Sequence, residues 1–117
     1  MRSSSKTINK SLQQEIKRTL QQALVDISTI KEAHLFLSDF FKESEYETFA
    51  KRLAVAYWLK KGRSYTNIKK NLQVSSATIA SVQQILDTPG MKQTIERIEA
   101  DEWAEKWSER FKKITRR

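Results

Sequence analysis

The sequence predicts an all-α protein of about six helices organised around a helix-turn-helix. Three observations carry this. Only two glycines and one proline interrupt 117 residues. Apolar residues recur at spacings of three and four, with no convincing alternation of the kind a half-buried strand needs. Residues 60–86 read as two short helices with a tight turn between them.

MRSSSK at the start is polar and basic, so residues 1–7 read as a mobile arm. From Ile8 to Ile27 the apolar positions Ile8, Leu12, Ile16, Leu20, Ala23, Leu24 and Ile27 form one stripe. A helix of that length with a single apolar stripe needs a partner surface. Ser28 and Thr29 offer caps for a second helix, Ile30–Phe41, with Glu32 as an acid in its first turn. Its Ala33, Leu35, Phe36, Leu37, Phe40 and Phe41 cover more than one face, as expected of a helix buried on two sides in an intertwined dimer. Ser44 with Glu47 reads as a capping box for a third helix. Gly62 suits its left-handed end, and Lys60 and Lys61 suit the negative pole there.

Ser64 or Tyr65 opens the fourth helix, where Ile68 and Leu72 share a face. Gln73 occupies the turn position where a glycine is commonest, because the left-handed region costs other residues about 1 kcal/mol. Ser75 then caps a fifth helix whose apolar stripe is Ile79, Val82, Ile85 and Leu86. Thr88 and Pro89 open the last helix, which runs to about Ile114 with Met91, Ile95, Ile98, Trp103, Trp107, Phe111 and Ile114 along a stripe. The expected organisation is an arm at 1–7, a helical domain at 8–90 with the helix-turn-helix at 64–86, and an extended C-terminal helix at 91–117.

The fifth helix leaves Ser75, Ser76, Ala77, Ala80, Ser81 and Gln84 for its other face, which is small, uncharged and able to hydrogen-bond. Such a face lets a backbone approach base edges in the major groove. Gln84 suits an adenine edge, the serines suit several bases, and the alanines suit a thymine methyl. The charge pattern agrees. The chain carries +8, and no acid stands between Glu47 and Asp87, where Lys51, Arg52, Lys60, Lys61, Arg63, Lys69 and Lys70 lie. Cations for phosphates beside neutral groups for bases is the division of labour duplex recognition needs. Lys60, Lys61, Arg63, Lys69 and Lys70 are therefore the expected phosphate contacts.

The run AKRLAVAYWLKKGRSYTNIKKNLQVSSATIASV resembles the Trp repressor family, most closely its shorter Trp repressor-related branch. The residues that carry this are Lys51-Arg52-Leu53, Val55-Ala56, Leu59, Gly62, Tyr65, Ile68 and Ala77-Thr78-Ile79, with Pro89 opening the next helix. The resemblance implies an intertwined homodimer that presents two helix-turn-helix units to a palindromic operator. In the tryptophan-responsive members two arginines clamp the amino acid. Arg52 matches the first and marks a possible effector pocket. The second position is Ser81, which cannot supply a bidentate, charge-assisted contact to a carboxylate. No L-tryptophan corepression, or only weak binding of the amino acid, is expected.

Other functions find less support. With no cysteine, one isolated histidine (His34) and no phosphate-cradling glycine loop, the chain offers no recognisable catalytic or metal-binding constellation, and no cofactor is expected. Asp101 and Glu102 read as part of a solvated helix face. No apolar run is long enough to cross a membrane, so a cytoplasmic protein is expected. An RNA-binding role would call for aromatic residues interleaved with the basic ones. The main competitor is a helical interaction or oligomerisation module that retains the helix-turn-helix as scaffold.

Overall fold

The computed structural model describes residues 8–115, with side chains described through Glu105. Residues 1–7, expected to be a basic arm, and the side chains of Trp107, Phe111 and Ile114 in the expected C-terminal stripe lie outside the described residues. Among those described there are six helices and no strand: α1 (Lys10–Val25), α2 (Ile30–Phe40), α3 (Glu43–Lys60), α4 (Tyr65–Leu72), α5 (Ser76–Ile85) and α6 (Pro89–Thr115). Two compact units divide at Tyr46 and Glu47.

The N-terminal unit holds α1 and α2. Asn9 caps α1 by accepting from the Leu12 amide at 2.8 Å. Thr29 caps α2 by accepting from the Glu32 amide at 3.1 Å, and Glu32 reaches back to Ser28. Local capping therefore sets both helix starts. Neither helix has a buried residue. The α1 stripe of Leu12, Ile16, Leu20 and Leu24 is 42–53% exposed. On α2, Phe36 stacks on Phe40, whose ring meets Phe41 edge-on.

The C-terminal unit has the core: Val55 and Ala56 from α3, Ile68 from α4, Ile79 and Val82 from α5, and Ile95 from α6. Tyr57, Trp58, Leu59, Leu72, Val74, Leu86, Met91 and Ile98 pack around it. No polar or charged residue is buried among those described, so hydrophobic burial is the main force holding α3 to α6 together.

The start of α3 differs from the expected capping box. The Tyr46 amide donates to the Lys42 carbonyl at 2.9 Å, and the Glu45 carboxylate accepts from the Lys42 amide at 2.9 Å. The helix thus begins about two residues before the Ser44 cap predicted for it, and Glu47 instead pairs with Lys51 one turn on, at 3.2 Å. Phe41 ends α2 in an extended conformation, and only Lys42 separates it from the next helix.

At the other end of α3, Gly62 has φ +83°. Its amide donates to the Leu59 carbonyl at 3.0 Å and that of Arg63 to the Trp58 carbonyl at 3.1 Å, the double bond of a Schellman ending. A Cβ at Gly62 would meet no atom within 4 Å, so only the backbone conformation resists a side chain there. Gly62→Ala is expected to lower stability by about 1–2 kcal/mol, measured as a lower urea midpoint at unchanged slope.

Candidate nucleic-acid interface

Three caps fix the helix-turn-helix. Ser64 accepts from the Asn67 amide at 3.1 Å and opens α4. Gln73 closes it in the left-handed region, with φ 55° and ψ 50°, and its amide donates to the Lys69 carbonyl at 3.0 Å. The Gln73 side chain also donates to the Lys70 carbonyl at 2.8 Å, which satisfies a second open acceptor at the helix end. Ser75 accepts from the Thr78 amide at 3.1 Å and opens α5. Ile68 and Ile79 are both fully buried beneath the turn, so α4 and α5 are anchored from below.

This arrangement turns Ser76, Ala77, Ala80, Ser81 and Gln84 outward, all of them exposed. They form one continuous uncharged surface on α5. Ser75 is exposed as well, but its hydroxyl is engaged by the Thr78 amide and lies 3.0 Å from the Thr78 hydroxyl. Ser81 donates to the Thr78 carbonyl at 3.1 Å.

The expected phosphate contacts are not one cluster. Lys69 and Lys70 occupy the exposed last turn of α4, and the Lys69 ammonium stands 3.5 Å from the Ser76 hydroxyl at the start of α5. The Arg63 guanidinium lies 3.9 Å over the Trp58 ring and 3.4 Å from the Asn67 side-chain oxygen, which holds it beside the first turn of α4. Lys60 lines a recess with Asp87, Lys92 and Glu96. Lys92, in the first turn of α6, was not anticipated as a companion cation. Lys61 turns to α6, 3.8 Å from Glu99 and 3.9 Å from Glu102, over the Tyr57 ring.

Glu102 also accepts a hydrogen bond from the Tyr57 hydroxyl. The sequence places it on a solvated helix face, and the structure corrects this. Glu102 ties α6 to α3, and Lys61 helps to balance its charge.

A groove runs between α3 and the start of α5. Thr48, Lys51 and Arg52 line one side, and Gln73, Ser75, Thr78 and Ser81 the other. Arg52 and Ser81 thus come to one recess, although they are far apart in sequence. The signal for Thr48 lies in its spacing, three residues before Lys51 and four before Arg52 on the same helix, which makes it a surface neighbour of both. Among the described residues no group of three or more His, Cys, Asp or Glu side chains is placed to hold a metal ion. No helix among them is long and apolar enough to cross a membrane.

An uncharacterized protein of Bacillus subtilis (strain 168), YerC, is 29% identical over 68 residues, which are 58% of this chain and 65% of YerC. The similarity thus spans slightly less than two thirds of that relative. No solved structure matches the chain. The family model described as Trp repressor protein matches residues 10–99, a stretch that includes the whole helix-turn-helix and every core residue named above. The chain belongs to the Trp repressor family.

Proposed function

We propose that the chain is a sequence-specific DNA-binding transcriptional regulator, acting as a homodimer that represses by occupying its operator. The observation that carries this is the outer face of α5, exposed and uncharged, with Lys69 set against its first turn. In this reading α5 lies in the major groove. Ala77, Ala80, Ser76, Ser81 and Gln84 meet base edges, while Lys69, Lys70, Lys60 and Arg63 meet phosphates. Ser75 contributes mainly as the cap that orients α5. Lys61, balanced by Glu99 and Glu102, contributes least to the phosphate surface.

The homodimer is supported by the N-terminal unit, where a regular apolar stripe on α1 is left about half exposed within one chain. A helix in that state gains stability by burying the stripe against another copy. Two helix-turn-helix units related by a two-fold axis call for a palindromic operator. The Arg52 groove is the place for an effector. Opposite Arg52 stands Ser81, which donates to its own helix, and the other cation of the groove, Lys51, is paired with Glu47, so a two-arginine clamp for a free carboxylate is missing and L-tryptophan is not the effector.

The test is retention of a genomic fragment library at two salt concentrations, with and without L-tryptophan, followed by sequencing. An enriched palindrome, a steep loss with salt and no change on adding L-tryptophan are expected. Retention without an enriched sequence would refute a sequence-specific regulator. No retention at all would favour the second reading, a helical interaction module, which the same exposed α1 stripe motivates.

A further inference from the structure

Gly62 separates two cations with different surroundings. Lys61 turns to α6, where Glu99 and Glu102 offset its charge. Arg63 turns back over α3. Its guanidinium carbon lies 3.9 Å from the centroid of the Trp58 ring, against 5.3 Å between the Lys61 ammonium and the Tyr57 ring. At the shorter distance the cation sits close on the ring face, and tryptophan is the strongest aromatic partner for it.

The backbone fixes this arrangement. Gly62, at φ +83°, reverses the chain, and the Arg63 amide donates to the Trp58 carbonyl at 3.1 Å. Arg63 is therefore tied to Trp58 through its main chain and its side chain. Trp58 is itself partly buried and packs against the core, so the ring is a platform anchored from below. The Asn67 side-chain oxygen, 3.4 Å from a guanidinium nitrogen, holds the other side, in the first turn of α4.

These partners leave the charge unopposed. Among the described residues no carboxylate pairs with Arg63, and the sequence has no acid from 48 to 86. Stacking occupies the face of the guanidinium, and Asn67 takes one of its N–H donors. The rest of the planar fork is open to the paired oxygens of a phosphate. An exposed arginine normally loses side-chain freedom when it grips an anion, and that loss opposes binding. An arginine already held on a ring has less freedom to lose.

We propose that Trp58 is a positioning residue for DNA binding, which holds the Arg63 guanidinium so that its outer edge meets a backbone phosphate of the duplex. This rests on the regulator reading and adds a specific chemistry to it: a bidentate contact beside α4 that lysine does not replace.

The test is the affinity of the full chain for a mixed-sequence DNA duplex, read by fluorescence anisotropy over a salt series. No operator is needed, because phosphates carry no sequence information. Arg63→Ala should weaken binding about tenfold near 0.1 M salt and flatten the slope of log affinity against log salt by about 0.9. Arg63→Lys should keep the slope and still weaken binding about two- to fivefold, since the charge stays and the stacked fork is lost. Trp58→Leu should match Arg63→Lys in the wild-type background and cause no further loss in the Arg63→Ala background. Trp58→Phe, which keeps an aromatic face, should recover most of the loss. Urea midpoints check that the Trp58 variants fold, and Arg63→Lys, at an exposed position, tests the stack without touching the core.

Arg63→Lys binding as tightly as the wild type would overturn the proposal. So would equal weakening by Trp58→Leu in both backgrounds, because Trp58 would then support the fold and not Arg63. A wild type that binds duplex while Arg63→Ala binds equally well would remove this inference and leave the regulator reading standing. A wild type that binds no duplex would remove both.

Discussion

Replacing Ile79 by alanine is expected to lower the unfolding free energy by about 2–5 kcal/mol. Ile79 is fully buried, with Val55, Ala56, Ile68, Val82 and Ile95 making up the rest of the small core. The cost combines lost transfer free energy with the cavity left behind, and among the described residues only five other buried residues are present to close around it. Domains of this size are commonly stable by about 5–15 kcal/mol in all, so the change is a large share of the total. Urea unfolding is the measurement: the midpoint should fall while the slope holds. Gln83→Ala, on an exposed position of the same helix, should shift stability by less than about 0.5 kcal/mol. Equal effects from the two substitutions would mean that α5 is not anchored through Ile79.

Removing both Lys69 and Lys70 should have the largest effect on DNA binding. Each lysine that neutralises a phosphate contributes about 0.9 to the slope of log affinity against log salt. The double alanine variant should therefore flatten the slope by about two units and weaken binding about a hundredfold near 0.1 M salt. The weakening should be similar for operator and unrelated duplexes, since phosphates carry no sequence information. Gln84→Ala should do the opposite. It should leave the slope unchanged and cost about 1–3 kcal/mol of discrimination at one base pair. Fluorescence anisotropy over a salt series measures both. An unchanged slope for the double variant would place the phosphate surface elsewhere, with Lys60 and Lys92 the next cations to test.

Short-range chemistry accounts for what the sequence made legible. Thr29 with Glu32, Ser64, Ser75 and Gly62 each act on backbone groups within a few residues of themselves, so their roles can be read without knowing the fold. The exposed face of α5 is legible for a related reason: once Ile79 and Val82 are assigned inward, helix geometry fixes what faces outward. The start of α3 was ambiguous because two acids stood at capping distance from two successive candidates. Lys42 with Glu45 and Ser44 with Glu47 have the same spacing, and the extended Phe41 decided between them. Lys61 was not legible at all. Its direction depends on Glu99 and Glu102, on a helix separated from it by the entire helix-turn-helix. The same distance in sequence hid the bond between Tyr57 and Glu102.

The absence of any buried residue in α1 and α2 has a further consequence. A segment that cannot recover its ordering entropy from contacts within its own chain must recover it from a partner. Its order is then governed by mass action and not by sequence alone. The C-terminal unit, with its own core, should fold at any dilution. The N-terminal helices should be more sensitive to how many copies are present. For a regulator that occupies a two-fold site, abundance would set not only how much protein is available but what fraction is assembled to act, so a modest rise in expression would produce a more than proportional rise in operator occupancy.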